Sequence, residues 1–418
     1  MLTAISTALS GMNADTTAIS IIGNDLANLN TTGYKSNELE FHDLVAQSLG
    51  ITESSGQVGL GVGQVSSVTN FAQGSLQTTN GPTDVAIQGD GFFVVKDHSG
   101  NNLYTRDGSF QINANGNLVT STGDLVQGWS STVSGAAVNT NGAIGNLTVP
   151  LGATIPASAT TTMNLAINLN SSASTTGTDS SFAVPVQVVD SQGTSHTLTA
   201  TFSKTAANAW SYALTVPTTD VKSGSGSVAT GTLTFGSNGL LTNPTASNDP
   251  QAVKVTGLAD GASDLSINWN LYDSSGNSTI TQFAEASAVS GTTQNGFTAG
   301  QISKISLQNG GTMVANYSNG QQVTIGQLAL ATVSNPESLI SVGNNNLQAS
   351  ATTGQPAIGT ANTGARGNIV GGAIESSTVD IATEFTQLLT VQRSYQANSR
   401  VITTGDQMVQ DTLNLIHP

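Results

Sequence analysis

The chain of 418 residues has no cysteine and carries 25 acidic against 10 basic residues, a net charge of −15. The first fact excludes disulfides, thiolate metal sites and thiol catalysis together. The second, with no Lys or Arg between Arg106 and Lys204, leaves no basic stripe to displace counterions from nucleic acid.

The length exceeds one ordinary core and predicts about two to four domains. Charged residues are 8% and aromatics 5%, while glycine reaches 46, a composition that suits short strands joined by tight turns. Hydrophobic residues still make up 37% and alternate along the chain, which argues against disorder.

Residues 2 to 29 predict an amphipathic helix with rows at seven-residue spacing. One row is Leu2, Leu9, Thr16, Gly23 and the other, fully apolar, is Ile5, Met12, Ile19, Leu26. Ala8, Ala18, Ile21, Ile22 and Leu29 add apolar surface outside these rows, more than one partner helix covers. The helix should end between Asn28 and Gly33, where Asn and Thr side chains compete for the backbone and glycine admits positive φ. It lacks the basic start and unbroken apolar core of a secretory signal, since the first basic residue is Lys35. No segment of the chain supplies the roughly 20 apolar residues that cross a bilayer, so no membrane insertion is expected.

Residues 31 to 70 read as a connector that includes the glycine-rich stretch Gly56 to Gly63. From 71 the period changes to two: Val85, Ile87 and Phe92 to Val95 flank the turn Gly89-Asp90-Gly91, and glycine turns at 100, 116 and 123 separate further strands. A second β-rich block occupies 163 to 297, with surface loops at Ser171 to Ser181 and Ser223 to Ser227. Strand pattern resumes from Ile302 to Val333.

A long C-terminal helix is expected to start at Ser377, with Asp380 three residues on as a variant capping box, and to run about 58 Å. Its apolar row is Ile381, Leu388, Tyr395, Ile402, Val409, Ile416, flanked by Phe385 and Leu413. The fold class is therefore mainly β with long terminal α-helices that pair as a coiled coil around nested, discontinuous β-rich domains. The expected division is 1–30 with 372–418 for the helices, 31–70 for the connector, 71–162 with 298–366 for an inner β domain, and 163–297 for an inserted outer one. A private two-helix core competes with intermolecular packing as the use of the heptads, and the surplus apolar surface favours the second.

Residues for catalysis are not found. His42, His98, His196 and His417 show no metal-ligand spacing. Asp97-His98-Ser99 holds the residue types of a hydrolytic triad, but adjacent turn residues cannot orient one another. Gly59, Gly61 and Gly63 lack the strand-then-helix setting of a phosphate loop. Asp84, Asp90, Asp97, Asp107 and Asp124 each sit beside a turn former. No catalytic, cofactor-binding or metal residue is assigned, and no cofactor is expected.

Four motifs then resemble a known family. Ala27-Asn28-Leu29-Asn30-Thr31-Thr32-Gly33-Tyr34-Lys35 is similar to the signature after the first helix of the bacterial flagellar rod and hook proteins. Asp84 to Val95, and Tyr104-Thr105-Arg106-Asp107-Gly108-Ser109-Phe110 running on to Gly128-Trp129, resemble the family's shared β domain. Glu375-Ser376-Ser377-Thr378-Val379-Asp380, with Gln392-Arg393-Ser394-Tyr395-Gln396 after it, resembles the closing signature. The inserted block 163–297 exceeds what the short rod proteins of that family carry and shows no matching motif of its own, while Tyr317-Ser318-Asn319-Gly320 with Gly326 to Ala331 resembles the return strand of its hook members.

The resemblance implies a non-enzymatic structural subunit that forms a homo-polymer, the flexible tube between flagellar rod and filament. Its implied partners are the distal rod, the hook cap, the hook-filament junction and the flagellar export apparatus, through which it would leave the cell with its N-terminus intact. The terminal helices would form the inner wall, ordering as neighbours supply missing apolar faces. A distal rod protein is the nearest alternative. A secreted β-rich adhesin or carbohydrate-active enzyme is the alternative of another class, and it leaves the paired terminal heptads unexplained.

Overall fold

A computed structural model describes residues 2–44, 47–48, 57–58, 60–131, 138–222 and 226–416. Gly56, Gly59, residues 223–225 of the second serine-rich loop, and His417 lie outside the described residues. The chain divides into two compact units, one of residues 1–151, 305–315 and 323–418, the other of 152–304 and 316–322.

The first unit contains both long helices, α1 at Leu2–Ala27 and α2 at Ile381–Ile416. α2 starts four residues later than the expected Ser377. The reason is local: the Asp380 carboxylate accepts the Thr383 N–H at 2.9 Å while the Asp380 carbonyl accepts the Glu384 N–H at 2.9 Å, so Asp380 is itself the cap. Ser377 instead accepts the Val379 N–H at 3.3 Å in a turn that precedes the helix. Donation from the Thr383 amide holds the Asp380 carboxyl below its usual range.

Outgoing and returning chain are joined next to these helices by two short antiparallel ladders. Leu76–Thr78 pairs with Ala373–Glu375, and Val85–Gln88 pairs with Asn368–Gly371. The turn at Gly89 to Gly91 is a corner between ladders, because Phe92–Lys96 pairs with Asn102–Thr105, Leu125–Ser130 and Leu330–Thr332 rather than with the strand before it. Phe92 to Val95 are all buried, as a strand covered on both faces requires. In the connector, Asn37–Glu40 pairs with Ser66–Thr69.

The second unit is a β-sandwich. One sheet is an antiparallel meander from Ser181–Val189 through Ser195–Ala206, Ala209–Thr215 and Ser227–Phe235 to Leu241–Asn243. The other is mixed and centres on Thr162–Asn170, which pairs parallel with Leu265–Asn270 and Ile280–Phe283 and antiparallel with Ala288–Gln294. Alternate residues point inward: Met163, Leu165, Ile167 and Leu169 from one sheet meet Val184, Val186, Leu198 and Phe202 from the other. Trp269 lies at the middle, edge-on to Tyr212 with ring centres 5.1 Å apart.

The two buried tryptophans differ in one respect. Trp210 Nε1 donates to Gln282 Oε1 at 2.8 Å, whereas Trp269 Nε1 has no hydrogen-bond partner. Trp210→Phe orphans a buried acceptor and Trp269→Phe removes an orphaned donor, so the first should be costlier by about 1–3 kcal/mol. Urea denaturation of the two variants, followed by far-UV circular dichroism, checks this; equal midpoints would contradict it.

Candidate assembly interface

α1 and α2 run antiparallel, with their contacts ordered Asp25 near Glu384, Asp15 at Asn398 and Ile5 at Gly405. The seam does not follow the apolar rows of the sequence. On α1 the innermost positions are Ala8, Asp15 and Ile22 in one row and Gly11, Ala18 and Asp25 in the other. On α2 Glu384 and Val391 are buried, and Leu388, Asn398, Ile402 and Gly405 are half-buried along the same face. The two rows on α1 and the row Glu384, Val391, Asn398, Gly405 on α2 keep heptad spacing, but apart from Ile22 and Val391 their residues are small or polar.

Close approach explains the choice. A Cβ on Gly11 would lie 2.7 Å from Asn398 Nδ2, and one on Gly405 would lie 3.2 Å from Ile5 Cγ1. Asn398 Nδ2 donates to Asp15 Oδ2 at 3.0 Å, which satisfies a carboxylate that is only 5% exposed. Ala18, Ile22 and Val391 form the apolar part of the seam, with Ile19, Leu26, Leu39 and Leu388 packed around it.

The sequence-predicted residues fall into two groups around this seam. Ile5, Met12, Ile19, Leu26, Leu388 and Ile402 are half-buried along its edges. Leu9, Ile381, Phe385, Tyr395, Val409 and Leu413 are exposed, by 51% at Leu9, 52% at Phe385 and 56% at Leu413. Leu389, Val401 and Met408 are exposed as well. The side chains of Leu2 and Ile416 lie outside the described residues. At roughly 100° per residue, Ile381, Phe385 and Leu389 flank one side of the seam and Val401 and Met408 the other. Val409 and Leu413 continue the seam itself. α2 has 36 residues against 26 in α1, so this end of the seam projects past its partner.

The first signature forms the turn that follows α1. Asn28 Nδ2 donates to the Asn24 carbonyl at 2.9 Å and Thr31 Oγ1 to Asn28 Oδ1 at 3.1 Å, while Ala27 and Asn30 are exposed. Gly33 has φ of 68°, and a Cβ there would meet the Arg106 carbonyl carbon at 2.6 Å. The Tyr34 hydroxyl donates to Asp25 Oδ1 at 2.7 Å, and Asn37 supplies a backbone and a side-chain N–H to the same carboxylate. Burial and the Asp25 carboxylate raise the Tyr34 phenol well above its ordinary value. In the closing signature, Gln392, Arg393, Tyr395 and Gln396 are all exposed on α2.

Three motifs far apart in sequence meet on one carboxylate. Glu375, fully buried, accepts Lys35 Nζ at 2.6 Å, Arg106 Nη1 at 3.3 Å and the Gly74 N–H at 2.8 Å. Lys35 also donates to the Ala72 carbonyl at 2.6 Å, and Arg106 to the Gly89 carbonyl at 2.9 Å while covering the Phe92 ring. Burial lowers the pKa of both cations from their ordinary values, and the Glu375 charge opposes that shift.

The residues examined for chemistry serve turns. Asp97 accepts from the Asn101 backbone and side chain, and Asp107 accepts from the Ser109 N–H and hydroxyl. Asp84 accepts from Thr79 and Asp124 from Asn346. Gly61 lies against Ser10 of α1, whose hydroxyl accepts the Val62 N–H at 3.2 Å.

A polymerising, β-rich structural subunit is the class these features define: paired terminal helices with apolar side chains left uncovered, a keyed junction beside them, and a chain otherwise built of strands. Comparison with known proteins identifies which one. Four family models match in chain order: "Flagella basal body rod protein" at 5–35, "Flagellar hook protein FlgE/F/G D1 domain" at 86–170, "Flagellar basal body protein FlaE D2 domain" at 178–297 and "Flagellar basal body rod FlgEFG protein C-terminal" at 370–415. The chain is 34% identical to the flagellar hook protein FlgE of Escherichia coli K12, covering 99% of this chain and 100% of that protein. It is 33% identical to the hook protein of Treponema pallidum, with 99% and 100% covered. A crystal structure of the Helicobacter pylori hook protein FlgE2 shares the fold, at a TM-score of 0.51 and 13% identity over 70% of this chain and 99% of that one. The chain belongs to the flagellar hook protein family and is a structural subunit of the flagellar hook.

Two outcomes follow from the buried charges. Glu375→Gln leaves two buried cations short of their counter-charge and should cost about 3–5 kcal/mol in chemical denaturation; a loss below about 1 kcal/mol would show that the junction does not depend on it. Glu384 is 6% exposed, and burial, then the Asp25 and Asp380 carboxylates, raise its pKa above the usual carboxylate range. A carboxyl raised in the folded state stabilises it fully below the unfolded pKa, and that contribution is lost as pH climbs through the folded pKa. Thermal melts should therefore show stability falling as pH rises from the region of 4.5, and Glu384→Gln should flatten that fall and melt higher at neutral pH.

Proposed function

We propose that the uncovered apolar side chains of the terminal helices are contacts between copies of this chain in the wall of the hook tube. The observation that carries this reading is the seam that continues along α2 through Val409 and Leu413 past the end of α1, with Ile381, Phe385, Leu389, Val401 and Met408 exposed on its flanks. Side chains of this size left in water across several turns of one helix form a surface that gains on association. An open groove of about 580 Å³ between the connector and α2, lined by Glu38, Phe41, Asn70, Gln387 and Val391 among others, offers a complementary hollow for a neighbour's side chains.

In this reading the helices of 1–30 and 372–418 form the inner wall of the tube. The small and polar seam brings α1 and α2 together at close range and reserves the large apolar side chains for neighbours. The block 163–297, rich in Ser, Thr and Asn, exchanges hydrogen bonds with water at small net cost, which suits a surface that slides as a curved tube rotates under torque. The role is structural and not catalytic. Its neighbours at the tube ends are the distal rod, the cap and the junction proteins, and it arrives through the flagellar export apparatus.

The test replaces residues that are exposed in the single chain. Phe385→Ser with Leu389→Ser, and separately Leu413→Ser, should leave the circular dichroism and melting of the monomer unchanged. Each should raise the critical concentration for tube formation at least tenfold, as seen by electron microscopy and sedimentation. Tubes forming at the unaltered concentration would overturn the assignment.

A further inference from the structure

Within the sandwich unit, two side chains from one hairpin, Asp190 and His196, converge with Asp220 and Asp260 from two further segments. Asp190 closes the hairpin between Ser181–Val189 and Ser195–Ala206, and its side chain is fully buried. Asp190 Oδ1 accepts the N–H groups of Gln192 and Thr194, both at 2.8 Å, which fixes the carboxylate and aims Oδ2 at His196 Nε2, 3.2 Å away. Asp260 brings its own Oδ2 to 3.6 Å from the same nitrogen. On the far side of the ring, His196 Nδ1 lies 3.0 Å from Asp220 Oδ2.

The imidazole is only 6% exposed, and among the described residues no lysine or arginine pairs with Asp190, Asp220 or Asp260. Three carboxylates thus share one ring. In the tautomer that carries its proton on Nδ1 and donates it to Asp220, the Nε2 lone pair is directed at two carboxylate oxygens. In that tautomer three acceptors face one another, two of them on the buried Asp190 and His196 and one on the more exposed Asp260, an arrangement that a cation satisfies. The ligand atoms lie within 4.8 Å of one another. The nitrogen-to-oxygen separations of 3.2 and 3.6 Å bracket the edge of about 3.3 Å expected of a tetrahedron whose ligands stand about 2.0–2.1 Å from its centre.

We propose that Asp190 Oδ2, His196 Nε2 and Asp260 Oδ2 form a binding site for a first-row divalent cation such as Zn²⁺, and that Asp220 is the outer carboxylate that orients the ring. One nitrogen and two oxygens without a thiolate suit borderline cations rather than Ca²⁺, which takes oxygen ligands. A carboxylate behind the second nitrogen of a ligating histidine is the usual supporting arrangement. The bound ion would staple the hairpin turn at 190–194 to the loops that carry Asp220 and Asp260, raising the stability of this end of the unit.

The full chain, freed of metal with a chelator and exchanged into neutral buffer, is titrated with ZnCl₂ by calorimetry, with CaCl₂ and MgCl₂ as controls. One saturable Zn²⁺ site, a higher melting temperature with Zn²⁺ and no comparable effect of the controls are expected. Asp260→Asn, altered at a side chain that is 26% exposed, should fold normally and lose the site. His196→Ala should lose it too, and Asp220→Asn should weaken it by about 10–100-fold. The visible spectrum of the Co²⁺-loaded wild-type chain gives a readout independent of any variant, with the intense bands of a four-coordinate site expected. Absence of saturable Zn²⁺ uptake, uptake unchanged in Asp260→Asn and His196→Ala, equal binding of Ca²⁺, or a Co²⁺ spectrum matching the aquo ion would each overturn the proposal.

Discussion

A single buried carboxylate holds together the part of this protein on which its assembly depends. Glu375 pairs with both Lys35 and Arg106 in a place where the two cations are almost wholly shielded from water. Taking such charges out of water is costly, and the cost is recovered only when geometry is met by all partners at once. That condition couples three segments that are remote in sequence: the turn after α1, the β hairpin region around Arg106, and the strand that leads back to α2. Gly33 has to lie flat against the Arg106 backbone for Lys35 to arrive, so the glycine of the first signature and the arginine of the second depend on one another.

With the junction set, the two helices leave it in a defined direction and meet along small and polar residues. Ala8, Gly11 and Ala18 allow close approach, and Asp15 with Asn398 fixes the register by a hydrogen bond that a slipped pairing would break. A seam of this kind has a modest hydrophobic contribution, since alanine and glycine bury little apolar area. It leaves Phe385, Leu389, Val401, Met408, Val409 and Leu413 of α2 outside. The same sequence therefore satisfies one partner within the chain and keeps surface for partners beyond it.

The apolar rows of the sequence show that both termini are helices and that they bury something. They do not show what, because hydrophobic periodicity registers large side chains and passes over alanine, glycine and buried aspartate. The rows Ala8, Asp15, Ile22 and Gly11, Ala18, Asp25 were open to reading as a heptad of small and polar residues. Asp380 in place of Ser377 as the helix cap was a choice between two good capping residues three apart, decided by which carbonyl begins the i to i+4 ladder. The strands of the sandwich were legible because inward residues alternate strictly, as from Met163 to Leu169. The gathering of Asp190, Asp220 and Asp260 on His196 was not, since the residues are separated by strands whose pairing no local pattern specifies.

The sequence by itself determined the helical ends, the alternation of the β units, the turns and the family signatures, all properties of residues within a few positions of one another. Only the tertiary structure decided which face of each helix is covered, that Lys35, Arg106 and Glu375 share one site, and which histidine acquires carboxylates. These outcomes depend on burial and on charges brought together across loops. The free energy of a buried charge is set by what the whole fold places beside it, and no local spacing encodes that.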